Sequence, residues 1–204
     1  MFATQSYSNV GTADLARAVG VSEPALYRYF SGKKELFLAT LRSTAPRLLE
    51  LWQSIAYDVD DPVDTLWAIG VHYYDHLQSH SANMKLQFQA VSEAHDPEVR
   101  EALRENYAGF VDFVAETLDE GKRRGIVRQD LDTRMAGWQF LGIGLTLDLM
   151  QLLGFGSEID RSTFEQWGTM YQETLRGPRR RSKMVPAARA VSELTPSQDW
   201  PLEV

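Results

Sequence analysis

The side chains with the clearest potential for chemistry are three histidines at a helical spacing. His72, His76 and His80 stand at positions i, i+4 and i+8, so one face of a helix would present them together, while His95 follows separately. Histidine pairs at this spacing can bind zinc. No HExxH pattern accompanies them, and no cysteine or obvious carboxylate completes a set of ligands. Surface or pocket polar roles are therefore favoured over a metal site.

Motifs for catalysis are absent from the sequence. There is no glycine-rich phosphate loop, no nucleophile elbow and no paired-carboxylate motif. Cysteine is absent as well, which excludes disulfides and thiolate metal sites. The sequence therefore predicts neither an enzyme nor a bound metal or cofactor.

Residues 12–37, TADLARAVGVSEPALYRYFSGKKELF, are the stretch around which the chain is organised. Thr12 is predicted to cap a first helix, and Gly20 can end it because glycine tolerates positive φ. Ser22 is predicted to cap a second helix, with Pro24 in the first turn, where its missing N–H costs little. Two short helices joined by a glycine-containing turn are typical of a helix-turn-helix, whose second helix faces the major groove of DNA. Many helical hairpins share this spacing, so the spacing alone is a modest signal.

The detailed residues are more specific than the spacing. The segment LARAVGVSEPALYRYFSGKKEL closely resembles the DNA-binding signature of the TetR family of transcriptional regulators. The resemblance is strong over about residues 7–41. Over the rest of the chain it is one of length and helical layout.

The resemblance implies a role in DNA binding for eight residues. Thr12 would touch a phosphate, and Lys33 would hold another at the head of the third helix, where backbone N–H groups also favour an anion. The hydroxyls of Tyr27 and Tyr29 would hold phosphates, although both could be no more than half-buried aromatics, since Tyr27 lies three residues before Phe30. The residues that would meet base edges or the adjoining sugar-phosphate are Glu23, Pro24, Ala25 and Arg28.

Residues 1–11 depart from the family pattern. A TetR-type domain has a full helix before the helix-turn-helix, whereas only Phe2 and its neighbour could belong to such a helix here. Either the chain was truncated, or its start was assigned too far downstream, or the domain lacks one wall. Without that helix we expect Leu15, Leu26 and Phe30 to be exposed, each with a loss of about 1.5–3 kcal/mol of burial free energy.

The net charge of −7 is distributed unevenly along the 204 residues. Residues 1–54 carry six Lys/Arg against four Asp/Glu, residues 55–177 carry ten against twenty-one, and residues 178–204 carry five against three. So small a positive excess near the helix-turn-helix indicates that DNA binding needs two copies of the domain. No apolar run approaches the roughly 20 residues of a transmembrane helix, and the N-terminus does not read as a secretory signal, so we expect a cytoplasmic protein.

The fold class is predicted to be all-α. A helix-turn-helix DNA-binding head (residues 1–45, first helix largely missing) would precede a helical ligand-binding and dimerisation body (residues 46–177) and a flexible tail (residues 178–204). Residues 33–56 read as a helix that Pro46 kinks or, as we slightly favour, divides into two. Apolar stripes predict body helices over residues 62–80, 83–94, 97–124, 131–153 and 160–176.

Two further sets of residues in the body are predicted to be functional. The last two helices carry more apolar surface than one small monomer can easily cover, so the same pair from a second copy is expected to complete a four-helix interface, as the TetR-family layout also implies. A well-buried monomer core is the alternative. The interface candidates are Leu141, Leu145, Leu149, Leu152, Phe164, Trp167 and Tyr171. The candidates for an effector pocket, although such residues are more often core, are Trp67, Tyr74, Met84, Phe88, Phe110, Phe113 and Trp138.

Together these features predict a ligand-responsive transcriptional regulator, most simply a repressor. Its partners would be double-stranded DNA, a small-molecule effector and a second copy of the chain, and not a membrane. A homodimer would place its two second helices in successive major grooves, about 34 Å apart, on a palindromic operator. A small, largely hydrophobic effector would favour a spacing of the heads that no longer fits DNA. The alternative is an all-α homodimeric sensor or interaction protein with weak or lost DNA binding, which the missing first helix and the modest charge motivate.

Overall fold

The computed structural model describes residues 7–77 and 81–176. Within them the chain forms helices and turns, with no strand beyond an isolated bridge between Val127 and Arg176, so the predicted all-α class is confirmed. Two short 3₁₀ turns, Tyr7–Asn9 and Gly156–Glu158, accompany the α-helices. These are α1 (Thr12–Ala18), α2 (Glu23–Tyr27), α3 (Lys33–Asp58), α4 (Pro62–Asp75), α5 (Ser81–Ser92), α6 (Pro97–Arg123), α7 (Thr133–Leu153) and α8 (Arg161–Leu175). The predicted tail lies outside the described residues.

The turn and the second helix of the helix-turn-helix form where their local sequence predicts. Gly20 follows α1 with a φ of 72°, in the left-handed region that glycine enters at least cost. Ser22 Oγ accepts a hydrogen bond of 3.3 Å from the backbone N–H of Ala25 and so caps α2. Pro24 occupies the first turn of α2, as predicted. These residues fix where α2 begins, and with it the side chains that α2 presents.

The helix-turn-helix belongs to a compact unit made of Met1–Arg47 and His80–Tyr107. Leu15 and Leu26 are only 7% and 8% exposed and Phe30 is partly buried, so their expected exposure is wrong. The cover comes from apolar side chains of α3, α5 and the first turns of α6. The buried cluster comprises Val10, Leu15, Ala16, Leu26, Phe37, Leu38, Leu41, Leu86, Ala90, Val99, Ala102 and Leu103.

A second compact unit comprises Leu48–Ser79 and Ala108–Val204. Its largest aromatic cluster surrounds Trp52, which is 5% exposed. The ring centre of Trp52 lies 5.1 Å, 5.6 Å and 5.8 Å from those of three phenylalanines, namely Phe110, Phe113 and Phe140. The predicted division into head and body concerns function and stays a proposal.

α3 runs without a break from Lys33 to Asp58 with Pro46 inside it, so the favoured division into two helices is wrong. A proline in a helix interior costs about 3 kcal/mol. The residues just before it, Thr44 and Ala45, are 7% and 4% exposed, and their burial favours the continuous helix over a break at this point.

The other helices begin and end within two residues of their predicted bounds, except that α4 ends at Asp75 rather than at residue 80. His76 follows it as the C-cap, and its backbone N–H donates to carbonyls of the last turn. In the described segments, every helix falls short of the length and apolarity that crossing a membrane requires.

Candidate nucleic-acid interface

Three of the predicted DNA-binding residues lie together: Thr12 at the start of α1, and Glu23 and Tyr27 at the two ends of α2. Thr12 Oγ1 donates to Glu23 Oε1 at 2.6 Å and lies 3.1 Å from the hydroxyl oxygen of Tyr27. Because the single hydroxyl proton of Thr12 goes to the carboxylate, the Tyr27 hydroxyl is the donor in the second contact. The predicted capping role of Thr12 is wrong, since Gly11 holds the N-cap position of α1 and the Thr12 hydroxyl is committed to Glu23.

The remaining predicted residues of α2 and of the turn after it face solvent. Pro24 and Arg28 are exposed, and Ala25 is partly exposed. Tyr27 is 49% and Tyr29 77% exposed, so half-burial describes only the first of the two. An exposed guanidinium and an exposed phenol at the end of a helix are suited to contacts with base edges and phosphates.

Lys33 and Lys34 open α3 with different partners. Lys33 Nζ donates to the carbonyl oxygen of Tyr7 at 2.8 Å and lies 4.6 Å from the centre of the Tyr7 ring. Lys34 Nζ pairs with Asp96 Oδ2 at 2.7 Å and with Glu98 Oε1 at 2.8 Å. The hydrogen bond to Asp96 raises the pKa of Lys34 and lowers the pKa of Asp96. Lys34 is thus tied to carboxylates. Lys33 stands in the first turn of a long helix, which attracts anions.

The chain that enters α3 is held by a contact from the helix back to the loop. The backbone N–H of Ser31 donates to Glu35 Oε2 at 2.6 Å, and this hydrogen bond lowers the pKa of Glu35. Such a return contact satisfies a backbone N–H that precedes the first turn of the helix, as the glutamate of a capping box does for the N-cap residue. It fixes the direction in which α3, and therefore Lys33, leaves the turn.

The assembled surface offers phenols and a guanidinium at the end of α2 and an ammonium at the beginning of α3. These groups bind phosphate oxygens, and the guanidinium of Arg28 can also read guanine in the major groove. Glu23 differs from the others, because a carboxylate repels phosphate but can accept a hydrogen bond from the amino group of cytosine. Arg17, on α1, is paired with Asp14 at 2.9 Å.

Sequence reasoning missed two residues that adjoin this surface, Tyr7 and Asp96. Tyr7 precedes Lys33 by 26 positions and falls in a segment that reads only as a loop, so no spacing rule links the two. Asp96 follows Lys34 by 62 positions. The one local signal was the occurrence of two successive lysines at a helix start, which does not identify their partners.

The segment that carries this surface matches a known protein family. Residues 1–40 match the family model described as bacterial regulatory proteins, tetR family. The predicted resemblance to the TetR family is therefore confirmed for the N-terminal segment of the chain.

Several known proteins are similar to this chain. The HTH-type transcriptional activator FasR of Mycolicibacterium smegmatis is 29% identical over 89 residues, which are 44% of this chain and 41% of FasR. The fatty acid degradation regulator FadR from Bacillus halodurans has a TM-score of 0.66 at 23% identity, covering 89% of this chain and 91% of that one. FadR from Bacillus subtilis, solved in complex with stearoyl-CoA, has a TM-score of 0.66 at 17% identity, with coverage of 82% and 87%. At these identities the two structures share the fold of this chain.

The second compact unit contains a small apolar cavity of about 40 Å³. The indole of Trp67 stacks on Phe164 with ring centres 5.4 Å apart, and Tyr74 stacks on Phe164 as well, at 4.4 Å. The indole also covers Gly168, where a Cβ atom would lie 1.9 Å from it. Pockets for small molecules usually measure about 300–1,000 Å³, so this cavity must widen to admit an effector. Its walls are formed by Leu66, Trp67, Gly70, Phe140, Ile143, Phe164, Gly168, Tyr171 and Gln172.

The other pocket candidates lie elsewhere. Phe110 and Phe113 pack in the aromatic cluster around Trp52. Trp138 is 44% exposed. Met84 and Phe88 belong to the first compact unit, where Met84 is buried. Of the seven candidates, Trp67 lines the cavity and Tyr74 adjoins it, and the assignment of a pocket stays a prediction.

Five of the interface candidates are accessible in this chain. Leu145 and Leu149 on α7 are 36% and 44% exposed. Leu141, Leu152 and Trp167 are partly exposed. They are available to a partner.

The other two interface candidates are buried inside the protomer, which corrects their placement. Phe164 is 3% exposed and is stacked by Trp67 and Tyr74. Tyr171 is 9% exposed and donates its hydroxyl hydrogen bond to the Ala136 carbonyl at 2.8 Å, and burial raises the pKa of Tyr171. The apolar stripe of α8 is therefore used by the protomer's own α4 and α7, which is why these rings do not face outward.

The histidines give no sign of a metal centre in the described part of the chain. The rings of His72 and His76 stack 4.2 Å apart, and burial together with the nearby His76 lowers the pKa of His72 to about 4. Among the described residues no group of three or more His, Cys, Asp or Glu is arranged to hold a metal ion. His80 lies outside them.

Proposed function

We propose that this chain is a ligand-responsive transcriptional regulator, a repressor that binds a palindromic operator as a homodimer and is released by a small, largely hydrophobic effector. The observation that carries the proposal is the surface at the helix-turn-helix. There Arg28 and Tyr29 are exposed directly after a Ser22-capped helix, and Lys33 stands at the start of the next one. The proposed contacts to DNA are those of Thr12, Glu23, Pro24, Ala25, Tyr27, Arg28, Tyr29 and Lys33.

The homodimer is supported by the exposed face of α7. Met135, Trp138, Leu145, Leu149 and Leu153 recur every three to four or seven positions and are between 36% and 61% exposed. A contiguous apolar stripe of this kind on a globular protein marks an interaction surface. A second copy is the partner that also satisfies the electrostatics, because one head with a net charge of +2 neutralises few phosphates and two heads neutralise twice as many.

The effector is proposed to be largely hydrophobic because of the cavity between α4, α7 and α8. Its walls are apolar apart from the Gln172 side chain, the Trp67 indole N–H and the Tyr171 hydroxyl, which already donates to the Ala136 carbonyl. The FadR structure from Bacillus subtilis, which holds stearoyl-CoA, gives the same class of ligand further support. Binding in a widened cavity would favour a spacing of the two heads that no longer fits the operator, which requires that the effector bind the two states with different affinity.

The test is selection of genomic fragments by the purified chain, followed by fluorescence anisotropy at 50 and 200 mM salt. We expect a palindrome to be enriched and its affinity to fall on raising the salt, by about 3.5-fold for each phosphate contact. Arg28→Ala should relax sequence preference, whereas Lys33→Ala should weaken binding to all sequences alike. Arg104→Ala is the matched control, because its guanidinium is held by Glu101 and its loss changes net charge by the same amount.

The alternative is an all-α homodimeric sensor or interaction protein with weak or lost DNA binding. The observation that favours it is Glu23, which places a carboxylate on the proposed DNA surface of a chain whose net charge is −7. It predicts a stable dimer that binds ligand and shows no salt-dependent affinity for any duplex. A dimer that enriches no fragment would favour this alternative over the regulator.

A further inference from the structure

We propose that Tyr7 is a positioning residue for DNA binding, which holds the ammonium group of Lys33 in the direction of a phosphate. The inference rests on the proposed function, since it presumes that Lys33 contacts DNA. It adds to the interface a residue outside the helix-turn-helix, in the 3₁₀ turn Tyr7–Asn9.

The contact between the two residues is double. Lys33 Nζ donates to the main-chain carbonyl oxygen of Tyr7 at 2.8 Å, within the ordinary range for a charge-assisted hydrogen bond. The same atom lies 4.6 Å from the centre of the Tyr7 ring, inside the roughly 6 Å over which an aromatic face attracts a cation. The carbonyl takes one of the three N–H donors of the ammonium, so the contact is compatible with a second one to a phosphate oxygen.

Tyr7 is itself anchored in the core of the first compact unit. Its ring packs on that of Phe37 with centres 4.8 Å apart and planes tilted by 47°, and Phe37 is completely buried. The turn is also held from its other end, because Val10 is 2% exposed. The carbonyl and the ring face that meet Lys33 are therefore fixed to the same core that supports α3.

A lysine gains from such support more than an arginine would. Its charge is a compact point at the end of four rotatable bonds, so an unsupported ammonium samples many directions and loses that freedom on binding. Two fixed contacts restrict these directions before DNA arrives. Pre-organisation of this kind raises affinity without adding a contact to the ligand.

The inference is tested by a mutant cycle between the two positions, read as operator affinity and salt slope. We expect Tyr7→Phe to bind like the wild type, because the ring and the carbonyl remain. Lys33→Ala should reduce the slope of log affinity against log salt by about 0.9, the value for one phosphate contact. Tyr7→Leu should weaken binding by about threefold and reduce the same slope by part of that amount. The double variant Tyr7→Leu with Lys33→Ala should bind with the affinity of Lys33→Ala alone, within about twofold. If its loss of affinity equalled the product of the two single losses, the inference would be overturned and the proposed function would stay intact.

A second series keeps the test independent of folding. Phenylalanine with one, two and three ring fluorines at position 7 preserves the packing against Phe37 while it removes the negative face of the ring. We expect affinity to fall stepwise along the series with an unchanged melting temperature, and the trend to vanish in the Lys33→Ala background. A flat series, or a trend that persists without Lys33, would overturn the role of Tyr7. A wild-type chain that bound no duplex at either salt would overturn both this inference and the proposed function.

Discussion

Glu23 has two opposing effects on the affinity of the proposed surface for DNA. Its carboxylate accepts the hydroxyl of Thr12, which in turn accepts that of Tyr27, so it orders two hydroxyls that the proposal assigns to phosphates. The same negative charge repels those phosphates. A phosphate that approaches Tyr27 must therefore turn its hydroxyl away from Thr12, and the residue that stabilises the free surface also lowers its affinity for DNA.

Glu23→Gln is expected to raise the affinity for a duplex of scrambled sequence. The amide keeps an oxygen acceptor for Thr12 but removes the charge, and one charge about 6 Å from a phosphate in water is worth about threefold in affinity. Anisotropy with the scrambled duplex at 50 mM salt measures the effect, which should shrink at 500 mM as screening increases. Asp14→Asn removes a charge of the same sign that is already paired with Arg17 and should have less effect. Equal affinities of wild type and Glu23→Gln at low salt would contradict the argument.

Asp148 makes stability depend on pH in the direction opposite to most carboxyls. It is 8% exposed, its Oδ1 accepts a hydrogen bond of 2.5 Å from the Tyr73 hydroxyl, and burial raises its pKa to about 6. An unfolded aspartate has a pKa of about 3.9. Between these values the folded state binds more protons, so this group's contribution is fully present below about pH 4, falls as pH rises to about 6 and is constant above. The total is on the order of 2–3 kcal/mol.

Urea denaturation between pH 4 and 7 measures this term through the variant Asp148→Asn, which removes the titration and retains an acceptor for Tyr73. Relative to the variant, the wild type should lose stability as pH rises through this window. Asp130 is a control that does not titrate in this window, because the hydrogen bond from Arg128 lowers its pKa to about 2. Its contribution is lost only below about pH 4, so its replacement should leave the pH dependence between about pH 4 and 7 unchanged. A difference between wild type and Asp148→Asn that did not change with pH would show that Asp148 titrates normally.

For a single residue, the sequence predicts the partner of a side chain well only when that partner is close along the chain. Ser22 caps its own helix through a bond three residues long, and the local sequence predicted it. Thr12 instead bonds to Glu23, 11 residues away, although local rules assign it to the end of α1. The partner of Lys33 lies 26 residues away and has no sequence signature. Side chains whose partners are distant along the chain are therefore the ones whose contacts a single sequence does not predict.

Among the helices, α8 can pack closely against α4 because residue 168 is a glycine. Gly168 faces the indole of Trp67 so closely that a Cβ atom would lie 1.9 Å from Cζ3 and 2.6 Å from Cε3. The indole is held in turn by its stacking on Phe164. The close approach of α4 and α8 and the small size of the cavity therefore have the same cause.

Gly168→Ala is expected to destabilise the fold by about 1–3 kcal/mol through overpacking, although alanine favours a helix by about 1 kcal/mol over glycine. Gly144→Ala, on α7 but off its exposed stripe, is the matched control, because the nearest atom to its added Cβ is an atom of Tyr73 at 3.9 Å, an ordinary van der Waals distance. That variant should be neutral or more stable by up to about 1 kcal/mol. Thermal or urea unfolding measures both changes. If the two variants changed stability alike, the indole would not be confined as the structure has it.

The sequence predicts a helical feature correctly where it depends on that helix alone, and incorrectly where it depends on packing against another helix. The ends of α6, α7 and α8 follow from their own caps and stripes. The continuity of α3 through Pro46 depends on the burial of neighbouring residues, which the sequence does not state. Phe164 and Tyr171 were placed on an interface because an apolar stripe does not say which element covers it.

For the whole molecule, the proposed function predicts that the exposed stripe of α7 links assembly to DNA affinity. Leu145 and Leu149 are at its centre and are 36% and 44% exposed, so their replacement leaves the protomer core unchanged. If the stripe is covered by a second copy, two charges there are repelled by the same two in the partner. If two heads are needed to neutralise enough phosphates, losing the partner must also cost operator affinity.

The double variant Leu145→Glu with Leu149→Glu is therefore expected to be a folded monomer that binds the palindrome about a hundredfold more weakly, because joining two half-site contacts commonly contributes a factor of that order or more. Sedimentation equilibrium and far-UV circular dichroism establish the mass and the helicity, and anisotropy on the full palindrome and on a single half-site gives the affinities. For the wild type the full site should far exceed the half-site, whereas for the variant the two should be nearly equal. Tyr57→Glu, which adds a charge at a 91% exposed aromatic on α3 instead of α7, should change none of these. A variant that remained dimeric would place the interface elsewhere, and a monomer that kept full affinity would refute the argument that one weakly basic head is insufficient.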